Sequence, residues 1–432
     1  MTICVFGLWH LGCVTAACVA ERYRVIGLDP SPDTISGLNA AQAPIFEPGL
    51  SELIQTGLSS GSLQFTSEVA RAATADIVWV TFDTPVNESD EADFRYVESQ
   101  IASLFPYLRA ECVVLISSQM PVGATSRIEA RYRTGFPNGK VHFAYSPENL
   151  RLGKALSVFS NPGRIVIGVR DQAVRDRLAG FLSPFCQNLI WMSVESAEMT
   201  KHAINSFLAN SIVFMNEVAT LCEQVGADAK QVEAGLKSEE RIGPGAYLSP
   251  GGAFAGGTLA RDVSFLVNRA ADAGVSVPLL GSIRESNEFH KSWPRRKLKA
   301  LLGSLAGKKI ALLGLTYKPG TDTLRRSAAL ELGRWLVSER ATVSAYDPAV
   351  KHLPAGFDLE VTLCESALDA IENSDAAIIA TEWPEFRSLR APDFIAKMST
   401  PLLVDSNRFL EQYLDLSPPL RYVALGRPAE SL

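Results

Sequence analysis

With 432 residues, the chain is too long for one ordinary hydrophobic core, so we expect two or three domains. Apolar residues make up 47% of the chain and charged residues 20%, as in globular proteins, and a net charge of −6 without long charged runs argues against nucleic acid as the main partner. The sequence has neither the basic start of a signal peptide nor an apolar run of the ~18 residues that span a membrane, which predicts a cytoplasmic protein without a membrane partner.

The first predicted elements form a βαβ unit. A short apolar strand, ICVFG, ends at Gly7, a helix is predicted over residues 11–21, and the next strand, RVIGLD, ends at Asp29. An acid about 20 residues beyond a glycine turn is typical of dinucleotide-binding domains. Further apolar runs alternate with helical or polar segments, namely DIVWVTF, CVVLISS, VHFAYS and RIVIGV. This alternation favours a parallel sheet that is covered on both faces.

A long helix is predicted next. Residues 193–236 lack proline, and Met199, Ala203, Phe207 and Phe214 lie near one face of the predicted helix. Such an apolar helix suits either a core between domains or a subunit interface. The glycine-rich stretch GGAFAGGTLARD follows at residues 251–262.

A second unit of the first kind appears late in the chain. The strand KKIALLGL ends at Gly314, a helix is predicted over residues 328–339, and TVSAYDP carries Asp347 where the first unit has Asp29. We therefore predict an α/β protein in which two doubly wound, Rossmann-like domains are joined by a long central helix. The predicted domains are residues 1–190, a central helical and dimerisation region at 191–295, and residues 296–432.

The cysteines and histidines do not form a recognisable site. The seven cysteines are scattered, odd in number and without a C-x-x-C pair, which favours reduced thiols over disulfides or zinc ligands. The five histidines are also scattered, so we predict no metal site.

Eight motifs along the chain resemble those of the UDP-glucose/GDP-mannose dehydrogenase family. They are PIFEPGL (44–50), PVGATS (121–126), SPENLRLGKA (146–155), SAEMTKHAINSFLA (196–209), RIG (241–243), GLTYKPGTDTLRRS (314–327), YDP (346–348) and TEWPEF (381–386). One such motif would be weak evidence, whereas eight in family order over nearly the whole length are specific. The family oxidises the C6 hydroxyl of a nucleotide sugar twice, with two NAD, and holds the aldehyde stage on a cysteine.

The resemblance makes the glycine-rich stretch an active-site loop whose nucleophile position holds Thr258 instead of cysteine. A thiol has a pKa near 8.5 and supplies some thiolate at neutral pH, whereas a threonine hydroxyl needs an adjacent base to attack. Gln119 and Leu152 also replace a threonine and an acid of the family, while Glu148 is retained and suits the ordering of a water. These departures predict that the second oxidation is impaired.

The first oxidation needs only a base and a hydride acceptor. The resemblance assigns this step to Lys201, Asn205 and Asp262. Lys201 and Asn205 are four residues apart on a predicted helix, so they share a face. A lysine can neutralise the developing alkoxide, and the asparagine and aspartate can hold a water.

The predicted cofactor is NAD, bound by an imperfect glycine motif. The expected cofactor-binding residues are Gly7, Trp9, Gly12, Asp29, Thr84 and Arg325. Trp9 replaces the glycine that lets the backbone approach the pyrophosphate, so its side chain should push the phosphates away or move the loop. Asp83 stands where the family has a glycine, and its carboxylate is unfavourable near phosphates. Asp29 suits a ribose 2′-hydroxyl, which favours NAD over NADP.

The resemblance also implies the substrate-binding residues and the assembly. The expected substrate-binding residues are Leu150, Arg241, Gly256, Arg261 and Lys318, and the C-terminal domain is expected to bind the nucleotide sugar. In the family the arginine of RIG is reached from a neighbouring subunit, which predicts at least a homodimer. The family's last arginine is one place late here, at Arg408, so its role differs from the family pattern.

The motifs together predict an NAD-dependent nucleotide-sugar dehydrogenase that oxidises a sugar hydroxyl at C6 by a single two-electron step. One alternative is full four-electron oxidation to a uronic acid. Another is a non-catalytic subunit that binds a nucleotide sugar. Trp9 and Thr258 discriminate among the three hypotheses, because they decide whether NAD binds and whether an adduct forms.

Overall fold

The computed structural model describes residues 1–85, 92–148, 150–255, 257–354 and 360–428. Contacts divide the chain into two compact units, Met1–Ile204 and Asn205–Leu432, and each unit has its own sheet. The finer division into three domains stays a prediction.

An eight-stranded sheet forms the centre of the first unit. Its strands are β1 Thr2–Phe6, β2 Arg24–Leu28, β3 Leu63–Thr66, β4 Ile77–Val80, β5 Val113–Ile116, β6 His142–Tyr145, β7 Ile165–Gly168 and β8 Leu189–Met192. Their order is β3-β2-β1-β4-β5-β6-β7-β8, and the neighbours are parallel except for the antiparallel pair β6 and β7. The neighbouring strands β1 and β4 create a crevice beyond their carboxyl ends, where such sheets bind ligands.

Helices cover both faces of this sheet. They are α1 His10–Ala20, α2 Pro32–Asn39, α3 Leu50–Ser60, α4 Phe94–Leu104, α5 Ala124–Gly135, α6 Ala155–Ser160, α7 Gln172–Leu182 and the first part of α8 Val194–Val225. Every residue of α1 after His10 is buried. Its small side chains, mostly alanine, cysteine and valine, let this helix pack close to the sheet.

The predicted helix over residues 193–236 is interrupted. Gly226 has φ +77° and follows the end of α8, and α9 Ala229–Ser238 begins after Asp228. The Asp228 side chain accepts hydrogen bonds from the backbone N–H groups of Lys230 and Gln231, which is a helix N-cap. A glycine in the left-handed region ends the first helix and an aspartate begins the next, although no proline separates them.

The second unit has a six-stranded parallel sheet. Its strands are β9 Lys309–Leu313, β10 Thr342–Tyr346, β11 Thr362–Leu363, β12 Ala376–Ile379, β13 Leu402–Val404 and β14 Arg421–Val423, in the order β11-β10-β9-β12-β13-β14. The remaining helices are α10 Thr258–Asp272, α11 Pro278–Lys291, α12 Trp293–Leu302, α13 Ala328–Ser338, α14 Ala367–Ile371 and α15 Ala391–Lys397. The predicted fold class, two Rossmann-like domains with a long helix, is confirmed.

The two sheets repeat one arrangement at the residue level. Gly7 and Gly314 each follow the central strand of their sheet, with φ values of +100° and +95°. The backbone N–H of the residue after each glycine donates to an aspartate at 2.7 Å, Asp29 in the first unit and Asp347 in the second. The internal duplication that the sequence pattern predicts therefore extends to the turns.

The structure was also searched for helices that could lie across a bilayer. Throughout the described ranges, no helix combines the length and the apolar character that a membrane span requires.

Candidate active site

The turn between β1 and α1 is closely packed around its two glycines. A Cβ on Gly7 would lie 2.8 Å from the backbone nitrogen of Phe82, and a Cβ on Gly12 would overlap the carbonyl oxygen of Gly7. These contacts leave room only for glycine at either position. Gly7 also has φ +100°, a conformation that other residues rarely adopt. The same contacts bring the first turn of α1 against the end of β1, and a helix N-terminus placed in this way can bind a pyrophosphate.

Asp29 stabilises the same turn from the end of β2. Its Oδ2 accepts the Leu8 N–H at 2.7 Å, and its Oδ1 accepts the Ser31 N–H at 2.9 Å. A carboxylate has about four acceptor sites, so each oxygen keeps capacity for a ribose hydroxyl. The arrangement fits a dinucleotide.

Trp9 lies at the start of α1 with an exposed side chain. It is the N-cap residue of α1, in an extended conformation, and it is 45% exposed while Leu8 beside it is buried. The displacement of the phosphates or of the loop by Trp9 stays a prediction.

The segment after β4 carries two further residues of the predicted cofactor site. Asp83 is exposed, and the Thr84 hydroxyl donates to the carbonyl oxygen of Gln119 at 2.6 Å. This hydrogen bond joins the segments that follow β4 and β5. Thr84 therefore shapes the edge of the crevice through its side chain, and contact with the cofactor stays a prediction.

Lys201 and Glu148 lie together in the first unit. The Lys201 ammonium donates to the Glu148 carbonyl oxygen at 2.7 Å and lies 3.5 Å from its Oε1, while Lys201 is only 7% exposed. Glu148 Oε2 accepts the Leu150 N–H at 2.7 Å, and the Leu150 side chain packs against the core of the unit. A buried lysine beside one carboxylate is suited to meet a developing negative charge.

Asn205 and Asp262 lie together in the second unit. The Asn205 amide donates to Asp262 Oδ2, and both residues are buried. Asn205 follows Lys201 by four residues in α8, so the two lie on one face of that helix. Asp262 lies in α10, which begins at Thr258. The last five residues of the stretch GGAFAGGTLARD are therefore helical and do not form a loop.

Side chains from distant segments hold the first half of the glycine-rich loop. Asn216 of α8 accepts the Gly251 N–H at 3.0 Å, and Asn407 accepts the Gly252 N–H at 2.5 Å. A Cβ on Gly251 would clash with the Asn407 side chain, so glycine permits this close approach.

Helix α11 holds the next part of the loop. Asn287 accepts the Phe254 N–H at 3.0 Å and donates to the Phe254 carbonyl at 2.8 Å, as a neighbouring strand would. Burial lowers the pKa of His290, so its imidazole is neutral at pH 7, and its Nε2 lies 2.9 Å from the Gly251 carbonyl oxygen. Residues 251–254 of the loop therefore form a fixed platform, not a slack linker.

Thr258 is the first residue of α10, and it is exposed. Gly257 before it has φ +110°. Arg261 lies one turn further along the helix and is partly exposed. Gly256, a predicted substrate-binding residue, lies outside the described residues. Among the described residues, no hydrogen bond joins a base to the Thr258 hydroxyl, so nothing there activates it.

Six of the seven cysteines have a raised thiol pKa because of burial. They are Cys4, Cys13, Cys18, Cys112, Cys222 and Cys364, with a pKa of about 12 for Cys18 and about 11 for Cys112. Cys186 is also buried, with its sulfur 3.2 Å from the Pro162 carbonyl oxygen. The six thiols with a raised pKa are protonated at neutral pH, which makes them poor nucleophiles.

The remaining basic residues differ in their surroundings. The Arg241 side chain is 88% exposed and bonds Glu239 at 2.7 Å. Lys318 is partly exposed and Arg325 is exposed, both in the segment between β9 and α13. Arg408 is buried in an ion pair with Asp228 at 2.9 Å, so its side chain stabilises the start of α9.

The sequence analysis missed the side chains that hold the loop. Asn216, Asn287 and His290 lie within ordinary helical sequence, and only Asn407 lies in a stretch that the family pattern drew attention to. No local signal distinguishes an asparagine that bonds a distant backbone from one that faces solvent.

Three domain profiles of one family match most of the chain. They are described as the UDP-glucose/GDP-mannose dehydrogenase family, NAD binding domain over residues 1–185, central domain over residues 195–289 and UDP binding domain over residues 311–412. The chain is 35% identical over 441 residues to a UDP-glucose 6-dehydrogenase of Rhizobium meliloti, covering 99% of this chain and 100% of that protein. It is 33% identical over 447 residues to a UDP-glucose 6-dehydrogenase of Pseudomonas aeruginosa, covering 99% and 98%. The structure of a UDP-glucose dehydrogenase from Pyrobaculum islandicum superimposes with a TM-score of 0.85 at 30% identity, covering 99% of this chain and 98% of that one.

Proposed function

The chain belongs to the UDP-glucose/GDP-mannose dehydrogenase family, and on that premise we propose that it oxidises the C6 hydroxyl of a UDP-linked hexose to an aldehyde in a single two-electron step. It is an NAD-dependent oxidoreductase that acts on a CH–OH group of a nucleotide sugar. UDP is proposed because a UDP-binding domain profile matches residues 311–412 and the relatives are named for UDP-glucose.

The first oxidation is assigned to Lys201, Asn205 and Asp262. NAD, when bound, accepts the hydride that leaves C6. The Asn205–Asp262 pair holds a water through which the hydroxyl proton passes to the Asp262 carboxylate, and the Lys201 ammonium stabilises the alkoxide. The burial of all three side chains supports these roles, because charge interactions are stronger away from bulk water.

The single-step proposal rests on one observation: the glycine-rich loop is held in place by hydrogen bonds but has threonine at the predicted nucleophile position. The platform keeps its hydrogen bonds to Asn216, Asn287 and Asn407, yet exposed Thr258 stands at the nucleophile position. A free aldehyde cannot lose hydride until a tetrahedral adduct forms. A threonine hydroxyl is a poor nucleophile without a base and a poor leaving group afterwards. The second oxidation is therefore blocked or slow.

Full oxidation to the uronic acid is the second candidate. It is favoured by the relatives, which are named UDP-glucose 6-dehydrogenase at 35% and 33% identity. Its route would be a hydrated aldehyde, with Glu148 positioning the water that adds to the carbonyl. The third hypothesis, a non-catalytic subunit, loses its support because the family and its named relatives are NAD-dependent enzymes.

Product analysis separates the two candidates. The protein is incubated with NAD and a panel of nucleotide sugars that includes UDP-glucose, and NADH formation and product mass are followed together. We expect one NADH and one aldehyde for each sugar consumed. Two NADH and a carboxylate from the unaltered protein would contradict the single-step proposal and favour full oxidation.

Two variants at one position sharpen this test. Thr258→Cys restores a thiol at the nucleophile position on an intact platform, so we expect acid formation to appear. Thr258→Ala should still yield the aldehyde. If Thr258→Cys also stops at the aldehyde, the missing thiol is not what limits the reaction.

We also propose that the active form is a homodimer in which Arg241 of each subunit completes the substrate site of the other subunit. Arg241 is 88% exposed in its side chain, so it is available to a neighbouring subunit. Phe207, Phe214 and Leu221 are exposed at a seven-residue spacing along α8, which supports helix pairing.

A further inference from the structure

Glu47, in the motif PIFEPGL, is a buried carboxylate that has three hydrogen-bond donors. The residue is 4% exposed. Its Oε2 lies 2.9 Å from His10 Nε2 and accepts the Gly153 N–H at 2.8 Å, and its Oε1 accepts the Ala155 N–H at 2.8 Å. Burial opposes the charged form, but the hydrogen bonds from His10, Gly153 and Ala155 outweigh it and lower the pKa of Glu47. The group is therefore an anion at neutral pH.

The three donors come from two segments that the proposed reaction uses. His10 is the first residue of α1, directly beside Trp9 in the cofactor turn. Gly153 and Ala155 end the segment that carries Glu148 and Leu150. Glu47 thus joins the turn assigned to the cofactor to the segment assigned to the reacting sugar, entirely within the first unit.

The Glu47 carboxylate strongly constrains the distance between the start of α1 and the segment that ends at Ala155. Charge-assisted hydrogen bonds are short and about twice as strong as neutral ones. A buried anion that loses a donor is left partly unsatisfied, so neither segment can move away from Glu47 without a penalty. An amide in its place would turn N–H groups towards some of the three donors.

We propose that Glu47 is a positioning residue that fixes the cofactor turn relative to the segment of Glu148 and Leu150. This inference rests on the proposed function. Glu47 touches neither ligand, and it acts through His10, Gly153 and Ala155. The bonds keep the bound nicotinamide and the sugar carbon within hydride-transfer distance, which small displacements would disturb strongly.

Glu47→Gln tests the role, with Glu52→Gln as the matched control on the exposed side of α3. Calorimetric titration of NAD and, separately, of UDP is followed by steady-state kinetics with UDP-glucose. For Glu47→Gln we expect the Kd for NAD to rise and kcat to fall, each about tenfold, as ~1.4 kcal/mol would produce. The Kd for UDP should stay within about twofold, because UDP is assigned to the second unit. Glu52→Gln should match the unaltered protein in all three values.

The His10 variants cover the case in which Glu47→Gln does not fold. His10→Leu removes one of the three donors, while His10→Gln keeps an N–H group near the same place. We expect the leucine variant to weaken NAD binding and the glutamine variant to recover most of the loss.

Failures of the inference and of the function look different. In one outcome, the unaltered protein binds NAD and forms NADH, and Glu47→Gln has the same Kd for NAD and the same kcat. The positioning role is then overturned and the proposed function stands. Where Glu47→Gln does not fold, unchanged values for His10→Leu have the same meaning. A lower melting temperature alone would also overturn the positioning role. If the unaltered protein neither binds NAD nor forms NADH with any sugar of the panel, both proposals fall.

Discussion

Trp9 is the residue at which the sequence departs most from a dinucleotide-binding turn. The middle glycine of such a turn lets the backbone approach the pyrophosphate. Here Gly7 and Gly12 keep their contact, and Trp9 is exposed at the start of α1. The departure is therefore confined to one side chain on an intact backbone, so it can be reversed by one substitution.

Trp9→Gly should tighten NAD binding. Removing the indole lets the pyrophosphate reach the N–H groups of α1, and we expect the Kd to fall about tenfold, or ~1.4 kcal/mol. Glycine is an acceptable N-cap residue, so stability should change by less than about 1 kcal/mol. Calorimetric titration of NAD measures the effect, and Trp9→Phe, which keeps an aromatic ring, should bind like the unaltered protein. Unchanged affinity in Trp9→Gly would show that the indole does not obstruct the cofactor.

Among the elements, the glycine-rich loop and α11 act as one unit. Asn287 pairs with both backbone groups of Phe254, and neutral His290 lies against the Gly251 carbonyl. Glycines lower the local stiffness of a chain, so the loop depends on these side chains for a single conformation. The platform therefore persists although threonine, and not cysteine, stands at the predicted nucleophile position.

Asn287→Leu should release the loop. The isosteric change leaves the Phe254 N–H and C=O without partners, at about 1–3 kcal/mol for each group that stays buried. We expect faster hydrogen exchange at the Phe254 amide and slower NADH formation. Asn268→Leu, the same change at an exposed position of α10, is the control. Wild-type protection of the Phe254 amide in Asn287→Leu would contradict the platform.

At the scale of the whole molecule, α8 presents an apolar face to solvent. Phe207 is 70% exposed, Phe214 48% and Leu221 64%. Large apolar side chains in a row of this kind mark an interaction surface, and a seven-residue spacing suits a second helix. Arg241 of the same unit is also exposed, and it is the residue that we propose to complete the substrate site of a partner subunit.

Phe207→Glu should convert a dimer into a monomer. A charge in the centre of a paired apolar face disfavours association, and sedimentation velocity at micromolar concentration measures the result. Mixing Arg241→Ala with Lys201→Ala chains tests the shared site, because each mixed dimer would keep one complete set of residues. Random mixing should restore roughly a quarter of the unaltered activity. A monomeric unaltered protein, or no recovery on mixing, would exclude the exchange of Arg241.

The amino-acid sequence sufficed to predict the architecture and to indicate the family. Apolar runs that alternate with helical or polar segments predicted parallel sheets, because buried strands need continuous apolar runs and the turns need special residues; the antiparallel pair β6 and β7 was not predicted. Helical periodicity placed Lys201 and Asn205 on one face of the predicted helix. The two-residue strand β11 and the three-residue strand β14 escaped prediction because so few residues carry too little pattern, and the strands β3 and β8 were also missed.

The support of the candidate site depends on contacts between distant segments that become apparent only in the folded chain. Gly252 and Asn407 are 155 residues apart, and Ala155 and Glu47 are 108 apart, yet each pair is joined by a hydrogen bond. Buried backbone groups need partners, but which side chain satisfies them depends on how distant segments pack. The sequence therefore suggested candidates for the chemistry, Lys201 and Asp262 among them, and their roles stay predictions. Asn287, Asn407 and Glu47 became visible only when the folded chain brought them to their partners.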